Sequence, residues 1–230
     1  MKFPALSFKI KLIISLEIFI ILAGSFSGYL VWKELNSAFR ENHRRELIAL
    51  ASTTAAMIDP DRHQKAQLEN DRKSNSYKKI QTLFRKIIEV NPSVDDIYTA
   101  TRSQDGVWTY VAEGYQTNDE NGDGIITDNE KGVGIGENFD ITSVSEIAKG
   151  LDGPAADHEV RCGKRGCQLS GYAPVKDRFG QAMAVTAVNV EAQDVLDFEK
   201  KTKKNIAIVL GIIFIFFPLV LSFVKFPKKD

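Results

Sequence analysis

The sequence predicts an α+β protein: an antiparallel sheet with a long N-terminal helix, flanked by two transmembrane helices. Three observations predict it. Residues 12–32 and 206–224 are apolar, and at about 1.5 Å rise per residue each is long enough to cross about 30 Å of hydrocarbon. Helical periodicity fills the first part of the stretch between them. Two hairpin patterns follow, separated by an insertion.

The charges at the ends set the expected orientation. Lys2, Lys9 and Lys11 precede the first apolar segment, and Lys225, Lys228 and Lys229 follow the second. Short lysine-rich flanks stay cytoplasmic, while long domains translocate largely regardless of their own charge. The expected order is cytoplasmic residues 1–11, a membrane helix over 12–32, an extracytoplasmic domain over 33–205, a membrane helix over 206–224 and a cytoplasmic tail over 225–230. The location is the cell (inner) membrane, with the domain in the periplasm or outside. A cleaved secretory signal is the rival reading of the N-terminus, with Ala23, Gly24 and Ser25 near a cut. The apolar stretch exceeds the usual h-region of about 7 to 15 residues, and Glu17 interrupts it.

Lys plus Arg and Asp plus Glu both number 30, so net charge is zero and gives no bulk electrostatic case for nucleic acid. The basic run Lys200, Lys201, Lys203 and Lys204 reads as a solvated or headgroup-facing collar.

The elements follow in order. Residues 34–57 continue the first membrane helix without Gly or Pro, with Leu35, Phe39, Leu47, Leu50 and Ala51 at near-helical spacing. Asp59-Pro60 breaks it, and a charged stretch, Asp61-Arg62-His63, follows. Residues 76–90 place Ile80, Leu83, Phe84, Ile87 and Ile88 on one face, and Asn91-Pro92 stops that helix. Strands are expected over 96–102 and 107–112 around a Ser103-Gln104-Asp105-Gly106 turn, and over 167–175 and 181–190 around a second turn ending in Gly180. A short helix over 141–148 lies on an insertion between the hairpins. Helices followed by hairpins imply a sheet with helices packed on one face.

Residues 40–195 resemble the extracellular Cache sensor domains, PAS-like modules of bacterial receptors. The resemblance rests on Ala55-Ala56-Met57-Ile58-Asp59-Pro60, Asn91-Pro92 and Asp96-Ile97-Tyr98-Thr99. It rests most on residues 169–175, which read Leu-Ser-Gly-Tyr-Ala-Pro-Val, then Gly180 and the apolar strand after it. It implies a small-ligand pocket on the sheet and a signal passed through the long first helix and the membrane helices. Amino-acid-binding members use an Arg-x-Trp-Tyr run; Arg102, Trp108 and Tyr110 are present here at another spacing. With Tyr98 and Tyr172 they form the candidate pocket set. Ordinary sheet packing is the other reading of Trp108 and Tyr110.

The sharpest local motif is residues 119–130, which fit every constrained position of a twelve-residue EF-hand calcium loop. Asp119, Asn121 and Asp123 supply side-chain oxygens, Gly124 the sharp turn and Ile125 a backbone carbonyl. Thr127 reaches the ion directly or through water, and Glu130 closes the shell with two oxygens. Hard carboxylate donors in a flexible cage suit Ca²⁺ better than Mg²⁺. A lone loop of this kind fits a structural site of about 10⁻⁴ to 10⁻³ M affinity. An acidic solvated turn is the alternative.

Cys162 and Cys167 are the two cysteines of the chain and enclose Gly163-Lys164-Arg165-Gly166. A disulfide is expected in an oxidising compartment, against free thiols or a metal site. His43, His63 and His158 show no ligand spacing with them and read as surface residues. Gly24 and Gly28 form a small face on which two membrane helices can approach, and a homodimer contact is expected there; glycines facing lipid are the alternative. Glu17 on the same helix reads as a partner-helix contact or as a snorkelling side chain.

No nucleophile elbow, phosphate loop, catalytic zinc pattern or Ser/His/Asp arrangement emerges, so no enzyme is expected. The sequence therefore reads as a two-pass sensor that binds a small ligand, is stabilised by Ca²⁺ and signals through a separate membrane partner. A membrane-anchored calcium-binding structural or adhesion module is the alternative, and it would have a filled sheet face where a sensor has a cavity.

Overall fold

The computed structural model of the 230-residue chain describes residues 8–115, 132, 134–142, 144, 146–163 and 166–223. Helix α1, Phe8–Met57, is one uninterrupted helix of 50 residues, as the absence of Gly and Pro after residue 28 predicts. The chain divides into two units: the described parts of Met1–Phe39 and Leu196–Asp230 form one, and Arg40–Val195 forms the other.

In the first unit α1 carries a stretch long and apolar enough to cross a membrane, and it is the one described helix that meets that test. The last helix, α5, spans Gln193–Phe223; its side chains after residue 216 lie outside the described ones. Leu16, Phe19, Leu22 and Phe26 on α1, and Ile208, Val209, Ile212 and Phe216 on α5, all expose their apolar side chains. The Gly24–Gly28 face is seated on α5 of the same chain. A Cβ on Gly24 would lie 3.3 Å from Leu210 Cδ2, and one on Gly28 would lie 3.0 Å from Ile206 Cγ2. The glycines thus serve close approach within one chain. Phe39 stacks on Phe198 at 4.0 Å between ring centroids, and Lys203 Nζ sits 4.8 Å over the Trp32 ring.

The second unit is built on a sheet. Its strands are β1 (Val94–Arg102), β2 (Trp108–Glu113), β3 (Ala155–Ala156), β4 (Arg161–Gly163), β5 (Gly166–Lys176) and β6 (Ala182–Glu191). The order is β2-β1-β6-β5-β3, with β4 also pairing β5, and every pairing is antiparallel. Both expected hairpins form at their turns. Ser103 Oγ accepts from Val107 N and Gly106 takes φ 88°; Asp177 Oδ1 accepts from Phe179 N and Gln181 N, and Gly180 takes φ 81°.

Both sheet faces are covered, which is why β1, β5 and β6 read as nearly continuous buried runs rather than as clean alternations. On the first face Ala51 and Ala55 of α1, with Ile58 just after it, pack with Ile80, Phe84 and Ile87 of α3 (Asn75–Val90) onto Ile97, Ala173, Val175, Ala184 and Val188. Gly171 lets α1 come close: a Cβ there would stand 2.4 Å from the Leu47 carbonyl oxygen. On the second face Tyr98, Ala100, Trp108, Tyr172, Val185 and Ala187 pack with Val144 and Ile147.

Four elements differ from the sequence expectation. Asp59-Pro60 ends α1 but also opens a further helix, α2 (Pro60–Glu69), because Pro suits the first helical position and Asp59 caps it by accepting from Arg62 N. The insertion helix α4 spans Glu146–Asp152 rather than 141–148. Gly150, which argues against helix by propensity, is where α4 meets the sheet; a Cβ there would lie 2.8 Å from Val185 Cγ1 and 2.9 Å from Tyr172 Cβ. The short strands β3 and β4 have too few residues to show a period.

His63 is a further correction. It is buried rather than at the surface, with Nε2 2.9 Å from Thr99 Oγ1, while Nδ1 has no partner among the described residues. Burial lowers its pKa from 6.5 to about 4. The unfolded chain therefore takes up this proton between pH 6.5 and 4 while the folded chain does not, and stability falls as pH drops through that window. The full loss amounts to about 3 kcal/mol. Denaturant unfolding of the chain from pH 7 to 4 should show this slope, and His63→Gln should flatten it whatever its offset at pH 7. An identical slope in both proteins would place the titration elsewhere.

Candidate functional site

Period-two alternation puts one polar set on the second face of the sheet. Asp96 and Tyr98 come from β1, Asn189 from β6, Gln168 and Ser170 from β5, and the register joins Asp96 to Asn189 and Asn189 to Ser170. Beside β2, residues 136–139 run along the strand: Gly136 N donates to Tyr110 O, Tyr110 N to Glu137 O, and Phe139 N to Trp108 O. This segment and the sheet enclose a cleft of about 360 Å³. Its walls are Asp96, Tyr98, Tyr110 and Glu113 on one side, Asn138, Phe139 and Asp140 above, and Arg161, Gln168 and Asn189 on the other.

The apolar wall is a cluster of three rings. Tyr98 and Tyr110 lie 5.4 Å apart, Tyr98 and Phe139 5.6 Å, and Tyr110 and Phe139 4.7 Å between centroids. Burial first, and then the Tyr172 and Tyr110 neighbours, push the Tyr98 phenol well above its ordinary pKa, so it stays protonated. Glu113 is buried, with Arg72 Nη2 3.8 Å from its carboxylate. Asp96 is buried and accepts from Ile97 N at 2.8 Å.

The opposite wall hangs on Asp157. This buried carboxylate accepts from Arg161 Nε at 3.0 Å and Nη2 at 2.8 Å, from Ser170 N at 3.0 Å and from the Tyr172 hydroxyl at 3.0 Å. Ser170 Oγ in turn donates to Asn189 Oδ1 at 2.7 Å and accepts from Arg161 Nη2 at 2.7 Å. Burial works against the Arg161 charge, but Tyr172 and Asp157 outweigh it and hold the guanidinium firmly protonated. Burial and then the Asp157 charge push the Tyr172 phenol upward as well. The cleft therefore offers an aromatic surface, buried carboxylates on one side, and on the other a fixed cation beside two amide side chains. Such a lining is chemically complementary to a small polar molecule.

Of the pocket residues named from sequence, Tyr98 and Tyr110 line the cleft. Tyr172 lies beneath it, fully buried, with its hydroxyl in the Asp157 network. Trp108 is in the core cluster, and Arg102 is exposed at the end of β1; neither is a wall residue. Every other wall residue was missed by sequence reading, Asp96, Glu113, Phe139, Arg161, Gln168 and Asn189 among them. Two of them were accessible by alternation, since Asp96 is two positions from Tyr98 and Gln168 is four from Tyr172 on strands already predicted. Cys162 and Cys167 are disulfide-bonded across β4 and β5. The calcium loop at residues 119–130 lies outside the described residues. Among the described residues no group of three His, Cys, Asp or Glu side chains is placed to hold a metal.

No family model matches this chain, and no curated protein does. Solved structures do. The Escherichia coli DcuS sensor domain is 16% identical over 69% of this chain and 95% of its own length, with a TM-score of 0.44. The Vibrio cholerae histidine kinase DctB sensor domain is 14% identical over 73% of this chain and 58% of its own, also at 0.44. The ligand-binding domain of Campylobacter jejuni chemoreceptor Tlp3, solved with L-norvaline, is 9% identical over 80% of this chain and 63% of its own, at 0.43.

Removing the carboxylate that four donors share should be costly. Asp157→Ala should lose about 2–3 kcal/mol, somewhat less than for a fully buried ion pair because Arg161 keeps some access to water. Thermal unfolding should then begin about 5–10 °C lower. Tyr172→Phe, which deletes one of the four donors, should cost about 1 kcal/mol. Equal losses in the two variants would mean that the network does not depend on its carboxylate.

Proposed function

We propose that the chain is a membrane-anchored extracytoplasmic sensor that binds a small ligand in the cleft on the second face of its sheet. The observation that carries this reading is the cleft itself. A purely structural module would fill that face, whereas here polar side chains from β1, β2, β4, β5 and β6 converge on open space beside three aromatic rings. The continuity of α1 supports the second half of the reading, since one helix contains both the apolar stretch and the core residues Leu47, Ala51 and Ala55. In this proposal both apolar segments cross the membrane, the lysine-rich ends lie inside, and a partner on the cytoplasmic side receives the signal.

The test is a thermal-shift screen of the full chain in detergent against small organic acids, amines and amino acids. One chemical class should raise the melting temperature, and Tyr110→Ala and Asn189→Ala should abolish the shift. A screen without any hit, or hits indifferent to both substitutions, would defeat the proposal.

We further propose that Ca²⁺ binds residues 119–130 and stabilises the domain. What supports this is the sequence: oxygen donors at every ligating position, with Glu130 as the bidentate closer. A ligand present at ten times its Kd and bound only to the folded form adds about 1.4 kcal/mol. Millimolar Ca²⁺ should raise the melting temperature by several degrees and Mg²⁺ by less, and Glu130→Gln should lose most of the Ca²⁺ response. An equal response in wild type and variant would make the segment an acidic turn.

A further inference from the structure

Cys162 and Cys167 face each other across β4 and β5, and the pair next to them in register is Arg161 and Gln168. Both of those side chains are walls of the cleft. Among the described residues β4 pairs with β5 alone, over three residue pairs. So short a ladder is reinforced by two things: the bonds Arg161 makes to Asp157, Ser170 and Tyr172, and the disulfide. Gln168 Nε2 donates to Asp95 of β1. Neither cysteine belongs to either apolar cluster; Cys162 is exposed and Cys167 half-buried. The bond is thus open to a reductant and adds little to the core.

We propose that the Cys162–Cys167 disulfide is the positioning element for Arg161 and Gln168, and that its reduction by a dithiol opens this wall of the cleft. The proposal rests on the reading of the cleft as the ligand site. In the reduction the S–S bond breaks, the dithiol is oxidised to its own disulfide, and its two electrons and two protons leave Cys162 and Cys167 as thiols. Nothing covalent then links β4 to β5 across the strands, and the Arg161 guanidinium spends more of its time exchanging the Asp157 carboxylate for water. The cleft loses its fixed cation while the sheet and both cores stay intact. An oxidising compartment keeps the bond closed, so the binding surface exists in full only there.

Phenylglyoxal, which attacks guanidinium groups, reads the state of Arg161 without any ligand. The full chain in detergent is treated before and after reduction with dithiothreitol, and modification of Arg161 is followed by peptide mass spectrometry. Hydrogen exchange is measured in parallel at the Asp157 and Ser170 amides, which bond Ser170 O and Asp157 Oδ2. Reduction should speed modification of Arg161 by about 40-fold, the factor expected when a cross-link closing so short a loop is removed. It should raise exchange at the Asp157 and Ser170 amides and leave the centres of β1 and β6 unchanged. The double variant Cys162→Ser/Cys167→Ser should show the fast rate with or without dithiothreitol. Equal rates before and after reduction would overturn the proposal, and so would increased exchange throughout β1 and β6, which would make the bond a general staple of the fold. An empty ligand screen would defeat the sensor reading and leave these rates untouched, so the two failures are distinguishable.

Discussion

A carboxylate removed from water must find donors on several sides, and in this domain Asp157 draws its donors from two strands and so ties three segments together. Arg161 brings β4, and Ser170 N and the Tyr172 hydroxyl bring two successive outward positions of β5. Asp157 itself follows β3 directly. Each of these donors offsets part of the cost of holding that charge at depth, so the network fixes where the irregular edge of the sheet lies. The regular elements elsewhere are held by apolar packing, which tolerates small shifts. The edge is held by directional bonds, which do not.

The second constraint is that the sheet is buried on both sides. A strand covered on both faces has to be apolar throughout or polar only where partners exist. Thr99 meets His63, Thr101 donates to Met183 O, and Ser170 joins the Asp157 network. Where the helices come closest, side chains disappear: Gly171 admits α1 on one face, and Gly150 of α4 meets β5 and β6 on the other. Both glycines lie opposite backbone or branched side chains that could not retreat from a methyl group without moving an element.

These constraints decide what could be read in advance. The long helix, α3 and the two hairpins have strong local periods and turn residues with a mechanism, and they lie within a residue or two of where the sequence put them. The disulfide pairing was legible because the loop between the cysteines is so short. α2 was hidden by Pro60, whose role as a breaker and as an opener cannot be told apart without knowing what Asp59 caps. The wall formed by Arg161 was hidden for a different reason. Its partners are Asp157, four residues before it, and Ser170 and Tyr172, nine and eleven residues after it, on strands too short or too far along to pair by pattern. Aromatic residues drew attention in the sequence, yet Trp108 went to the core and Arg161 to the cleft.

The placement of Gly171 between Ser170 and Tyr172 gives the proposed sensor a physical route from cleft to helix. Successive residues on a strand point to opposite faces, so the two residues that hold the Arg161 wall flank the one residue on which the α1 backbone rests. A change in the twist or height of β5 at this point cannot be absorbed by a flexible side chain on the α1 side, because Gly171 has none. The next atoms are those of Leu47 in α1 itself. Coupling of this kind needs an element with two arrangements that a ligand can bias. β4 contributes no residue to either apolar cluster; its Arg161 borders the cleft, and its partner β5 carries Gly171 against α1.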